Sequence, residues 1–146
     1  MKNTEQVLQN MIRIARSGRE FFRAIYPRVT DPEVRMAFTY VTDVKSRLID
    51  DLSPWVPSVE DDTADRTSPA ALVEQAYAEA RRNFRGAAPA ETGNALSAGE
   101  AQLCRLCERA FEETEVPALK RLLKAYYSDL MLCRQAMWRL QARRAA

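Results

Sequence analysis

Leu8, Met11, Ala15, Gly18, Phe22 and Ile25 recur at alternating steps of three and four, and Pro27 ends the run. That period places one apolar stripe along a helix from about Thr4 to Tyr26, with Thr4 as its cap. Pro27 closes it by restricting the residue before it. A helix with a single apolar stripe must bury that stripe against other elements, so the chain has to supply partners. Gly18 lies inside the stripe and weakens a helix by about 1 kcal/mol relative to Ala, which points to a close helix–helix approach there.

The partners follow in order. Asp31-Pro32-Glu33 combines a cap, a proline at the first helical position and an acid in the first turn. It predicts a second helix to about Leu52, with Val34, Ala37, Phe38, Val41, Val44, Leu48 and Leu52 inward. Lys45 falls on that same apolar face. From Trp55 to Ser68 the chain reads as a loop with the acidic run Glu60-Asp61-Asp62 and Asp65, whose spacing is not that of a calcium loop. Ser68-Pro69 opens a shorter helix to about Arg85 with Leu72, Val73, Ala76, Tyr77, Ala80 and Phe84 inward. Gly86 to Gly99 reads as a small-residue connection. A helix from about Ala98 to Glu115 turns Leu103, Cys104, Cys107, Ala110, Phe111 and Thr114 inward. Pro117 starts the last helix, to about Arg143, with Leu119, Leu123, Tyr126, Leu130, Cys133 and Met137 inward.

Composition agrees with an all-α chain. There are 4 glycines among 146 residues, and Val and Ile are sparse between the turns. The length suits one domain, residues 1–146, with a proper core. A net charge of +2 gives no field for nucleic acid or a membrane surface. Arg16, Arg19 and Arg23, and the tail Arg139, Arg143 and Arg144, lack interleaved exposed aromatics and read as solvated faces. No segment reaches the about 18 apolar residues of a membrane span, and the start MKNTEQVLQN lacks a signal peptide's apolar run. The expectation is a cytoplasmic protein with neither membrane nor nucleic-acid partner.

The chemistry-bearing residues are few. Histidine is absent, which removes the commonest general base and metal ligand. Cys104 and Cys107 sit one turn apart, and Cys133 is central on the neighbouring helix. Three thiols could form a redox or soft-metal site, or could pack as small hydrophobes; a zinc site normally wants a fourth ligand. Lys45 is a candidate buried amine, paired with a carboxylate such as Glu108 or Glu100, with Arg134 as a second candidate charge. Ile14, Phe21, Ile49, Leu132 and Trp138 lie outside the core stripes. They predict a second buried surface: a homodimer or other homo-oligomer, or cover by the crossover helix and the Trp55 loop.

Long helix, short turn, long helix, then a connection carrying a short helix, then a second long pair is the helix order of a ferritin-like four-helix bundle. The segments Cys107-Glu108-Arg109-x-x-Glu112, Gly18-Arg-Glu-Phe-Phe22 and Asp31-Pro-Glu-Val, with the short crossover helix, resemble an uncharacterised bacterial branch of the ferritin-like superfamily. The resemblance runs from about Thr4 to Arg139. Metal-binding members place carboxylates and Glu-x-x-His pairs on inward faces. Here those positions hold Ala15, Lys45, Leu48, Cys107, Leu130 and Cys133, while Glu20, Asp43 and Glu112 point away. The resemblance therefore implies no di-iron centre, no metal and no cofactor. It implies a non-enzymatic scaffold that self-associates and binds a protein partner, in a bacterial stress-response setting. The alternative is a thiol site on Cys104, Cys107 and Cys133.

Overall fold

Helix starts in this protein are written by short polar side chains next to proline. In a computed structural model describing residues 2–57, 68–83 and 90–145, the Glu33 backbone N–H donates to the Asp31 carboxylate at 2.9 Å, with Pro32 at the first helical position. The Ala71 N–H donates to the Ser68 hydroxyl at 3.1 Å, and the Val116 N–H to the Thr114 hydroxyl at 3.2 Å, just ahead of Pro117. Each satisfies a donor that a helix end leaves without an intrahelical partner.

Five α-helices result among the described residues: α1 (Lys2–Ile25), α2 (Pro32–Leu52), α3 (Pro69–Asn83), α4 (Ala90–Glu113) and α5 (Pro117–Ala145). One-turn 3-10 helices follow α1 and α2 at Tyr26–Arg28 and Ser53–Trp55. No strand occurs among the described residues. Because α1 is already helical at Lys2, Thr4 lies inside it, buried, rather than capping it. The acidic run from Glu60 to Asp65, and Phe84 and Arg85, lie outside the described residues.

The largest departure from expectation is α4. It begins at Ala90, so the stretch read as a Gly86–Gly99 connection is helical over its last ten residues. Leu96, Leu103, Cys107 and Ala110 form one buried stripe along it. Burying each leucine is worth about 1.5–3 kcal/mol, which outweighs the roughly 1 kcal/mol that a glycine costs in a helix.

The helices share one apolar core. α1 packs on α2, α3 and α4, while α5 packs on α2 and α4, so that α1, α2, α5 and α4 close a cycle of neighbours. α3 lies against α1 and α4. Three of the apolar residues expected outside the core lie inside it, and for Phe21 the placement of α3 is the reason. Ile14, Phe21 and Ile49 are buried, with the Phe21 ring 5.5 Å from that of Tyr77 on α3. Leu132 and Trp138 stay exposed. Among the described residues no helix is long and apolar enough to cross a membrane.

Candidate functional site

Among the described residues, one ion pair has no solvent exposure on either side chain. Lys45 of α2 and Glu100 of α4 are both 0 % exposed. The Lys45 ammonium donates to both carboxylate oxygens of Glu100, at 2.7 Å to Oε2. The ammonium also lies 5.7 Å from the centre of the Phe22 ring. Taking two charges out of water costs several kcal/mol per ion, so a pair survives there only with good geometry and full hydrogen bonding.

Every helix supplies something to this place. On α1, Gly18 has no side chain because one would not fit: a Cβ there would stand 2.5 Å from Lys45 Cε and 3.1 Å from the Tyr77 hydroxyl. On α4, a Cβ at Gly99 would stand 2.4 Å from the Tyr77 hydroxyl and 2.9 Å from its Cζ. The two glycines thus make room for the lysine stem and for Tyr77 of α3. On α5, Cys133 lies close enough to Lys45 and Glu100 to feel both charges.

Tyr77 is the odd member. Its ring packs among Phe21 and Phe22, and its buried hydroxyl makes no hydrogen bond of good geometry, although the Glu100 carboxylate is near enough to act on it. Burial, followed by the nearby Glu100 carboxylate, holds its phenol well above the ordinary pKa, so it stays protonated.

The remaining sequence candidates separate. Arg134 and Glu108 are exposed, so neither shares the buried site with Lys45. The Glu108 carboxylate instead accepts from the Tyr127 hydroxyl at 2.7 Å. Cys104, Cys107 and Cys133 are free and buried. Among the described residues, no group of three or more Cys, His, Asp or Glu side chains is arranged to hold a metal ion. Burial pushes the Cys104 thiol up to about 11, with Glu100 adding to it, and burial pushes Cys107 and Cys133 up to about 12. Cys107 Sγ donates to the Leu123 carbonyl at 3.3 Å. These are protonated thiols, poor nucleophiles at neutral pH. We therefore expect a thiol-disulfide exchange reagent at pH 7 to label native protein at least about 100-fold more slowly than protein unfolded in guanidinium, where all three react. A single rapidly labelled cysteine in the native state would contradict this.

No family model, curated protein or solved structure matches this chain.

Glu100 is the candidate-site residue that the sequence pattern marks least clearly. It was one of two named partners for Lys45, but no carboxylate was expected on an inward face. The signal was present: Leu96, Glu100, Leu103 and Cys107 follow steps of four, three and four. Starting the helix at Ala98 put Glu100 in its first turn, outside that stripe. Tyr77 was placed inward correctly in sequence, but nothing in the pattern marked its hydroxyl.

Proposed function

We propose that the protein is a metal-free, non-enzymatic helical scaffold of ferritin-like four-helix design, with α3 as the extra helix of the crossover. One observation carries this reading: the Lys45–Glu100 pair fills the middle of the helix cycle, where metal-binding ferritin-like proteins hold carboxylate-ligated cations. A lysine ammonium at that point repels a metal and already saturates the buried Glu100 carboxylate. The helix order and the short motifs around Gly18, Asp31 and Cys107 support the same kinship. Sealed from solvent, the pair offers no substrate a way to it.

Under this reading the protein works through its surface, by self-association and by holding a protein partner in the cytoplasm. Leu132, 52 % exposed, and Trp138, 63 % exposed, support it. Trp138 borders a groove between α4 and α5 whose floor is small, at Ala98 and Ala101. The thiol alternative draws no support from three buried, protonated cysteines.

Native mass spectrometry and elemental analysis of one purified sample test both halves. We expect no stoichiometric iron, manganese or zinc, and a mass that is a multiple of the single chain, returning to one chain in Trp138→Ala. Stoichiometric metal would overturn the scaffold reading.

A further inference from the structure

The flank of α1 that carries Arg19 and Arg23 does more than face water. Arg23, with Tyr26 of the 3-10 turn that follows, lines a groove of about 410 Å³ whose other wall is Thr39, Thr42, Asp43 and Ser46 of α2. The four α2 residues are spaced as i, i+3, i+4 and i+7, so one face of that helix supplies them all. Small-molecule sites span about 300–1,000 Å³, so the groove has room for one compact ligand.

Its polar groups are out of balance in a way that points to an anion. Thr39 turns its hydroxyl back onto the Arg35 carbonyl at 2.9 Å. Thr42 and Ser46 do not do the same. Among the described residues neither of their hydroxyls has a partner, and neither has the Arg23 guanidinium. One turn before Arg23, the Arg19 Nε is buried without a hydrogen-bond acceptor. The acid on the α2 wall, Asp43, is already neutralised: its Oδ2 accepts from Arg47 Nε at 3.0 Å. At the turn end of the groove the Arg35 guanidinium lies 4.6 Å from the centre of the Tyr26 ring. Donors without acceptors thus gather along one side of the α1–α2 pair.

We propose that this groove binds a small phosphomonoester carried on a sugar, of the size of a mononucleotide. The Arg23 fork takes two phosphoryl oxygens, and the Thr42 and Ser46 hydroxyls donate to the third. A carboxylate has two oxygens, which the guanidinium alone would saturate, leaving both hydroxyls idle; three oxygens match the donors present. Arg19 puts a second positive charge on the same flank. Asp43 keeps Oδ1 to accept from a sugar hydroxyl, and Tyr26 offers a base an aromatic ring to pack against. The groove lies on α1 and α2, apart from the Trp138 groove between α4 and α5, so this site stands whether or not the protein self-associates.

Isothermal titration calorimetry of the full chain with adenosine monophosphate tests the site. The expected result is saturable binding of one nucleotide per chain, weakening as salt rises. Adenosine binds at least about 10-fold more weakly, and Arg23→Met weakens the nucleotide by a similar factor, as expected for losing a charge-assisted pair. Thr42→Val combined with Ser46→Ala weakens it several-fold. Arg23 is exposed, and Thr42 and Ser46 are half-buried, so all three variants melt close to the wild type. No saturable binding at millimolar nucleotide overturns the proposal. So does a folded Arg23→Met chain that binds as the wild type does, or adenosine binding as tightly as its monophosphate. Inorganic phosphate binding as tightly as the nucleotide overturns the assignment to a sugar phosphate, and ribose 5-phosphate doing so overturns the part given to Tyr26.

Discussion

Replacing Lys45 by Met lowers the melting temperature by roughly 10 °C, and adding Glu100→Leu to the same chain returns most of that loss. The single change leaves a carboxylate fully buried with its cation gone. Breaking a buried pair in this way costs about 3–5 kcal/mol. In a domain of about 150 residues each kcal/mol moves the melting temperature by roughly 2–4 °C. The double change removes both desolvated ions and leaves apolar groups of similar size, which is often neutral or better. Thermal melts of the wild type, both single variants and the double variant give the coupling directly. Additive losses would show that the two side chains do not act as a unit.

The second large effect is expected at a glycine. Gly99→Ala should lose about 2–3 kcal/mol although alanine is the better helix former by about 1 kcal/mol. Its new Cβ would stand 2.4 Å from the Tyr77 hydroxyl and 2.9 Å from Cζ. That ring is 3 % exposed and lies against Phe21 and Phe22, so moving it aside breaks up that aromatic packing. Removing the hydroxyl should recover part of the loss: Tyr77→Phe combined with Gly99→Ala melts above Gly99→Ala alone. Tyr77→Phe by itself should be close to neutral, since the buried hydroxyl has no well-formed hydrogen bond to lose. Denaturant melts of the four chains check this, and a Gly99→Ala chain as stable as wild type would contradict the packing described.

The outer frame of the protein could be read directly from its letters. Pro32 behind Asp31, Pro69 behind Ser68 and Pro117 after Thr114 are local signals that need no distant partner, and each opens a helix. Lys45 could be singled out because a charge on an apolar stripe demands an explanation. The start of α4 could not be read locally. Gly93, Ser97 and Gly99 look like a linker, and helicity there comes from burying Leu96 and from close contact with Tyr77. Ile14 and Phe21 mark a second apolar face on α1, open in the sequence to a second copy of the chain or to the crossover helix. A single helical wheel shows which side chains are apolar, not that a further helix, α3, will lie across a second face of α1. The partner of Lys45 stayed ambiguous between Glu100 and Glu108 because both lie along one helix, and only the packing of α2 against its neighbours selects between them.

Gly18 and Gly99 also give the interior a recognisable imprint. A lysine stem crosses where α1 has no side chain, a tyrosine hydroxyl rests against a second bare position on α4, and the next residue is the acid that meets the lysine. Gly18, Lys45, Tyr77, Gly99 and Glu100 constrain one another so tightly that a relative keeping one should keep all five, or change them together. Surface helices can drift beyond recognition while such a set persists. The quintet is therefore a sharper probe for distant kin than overall likeness, and its coordinated replacement would mark the lineages in which this interior was rebuilt.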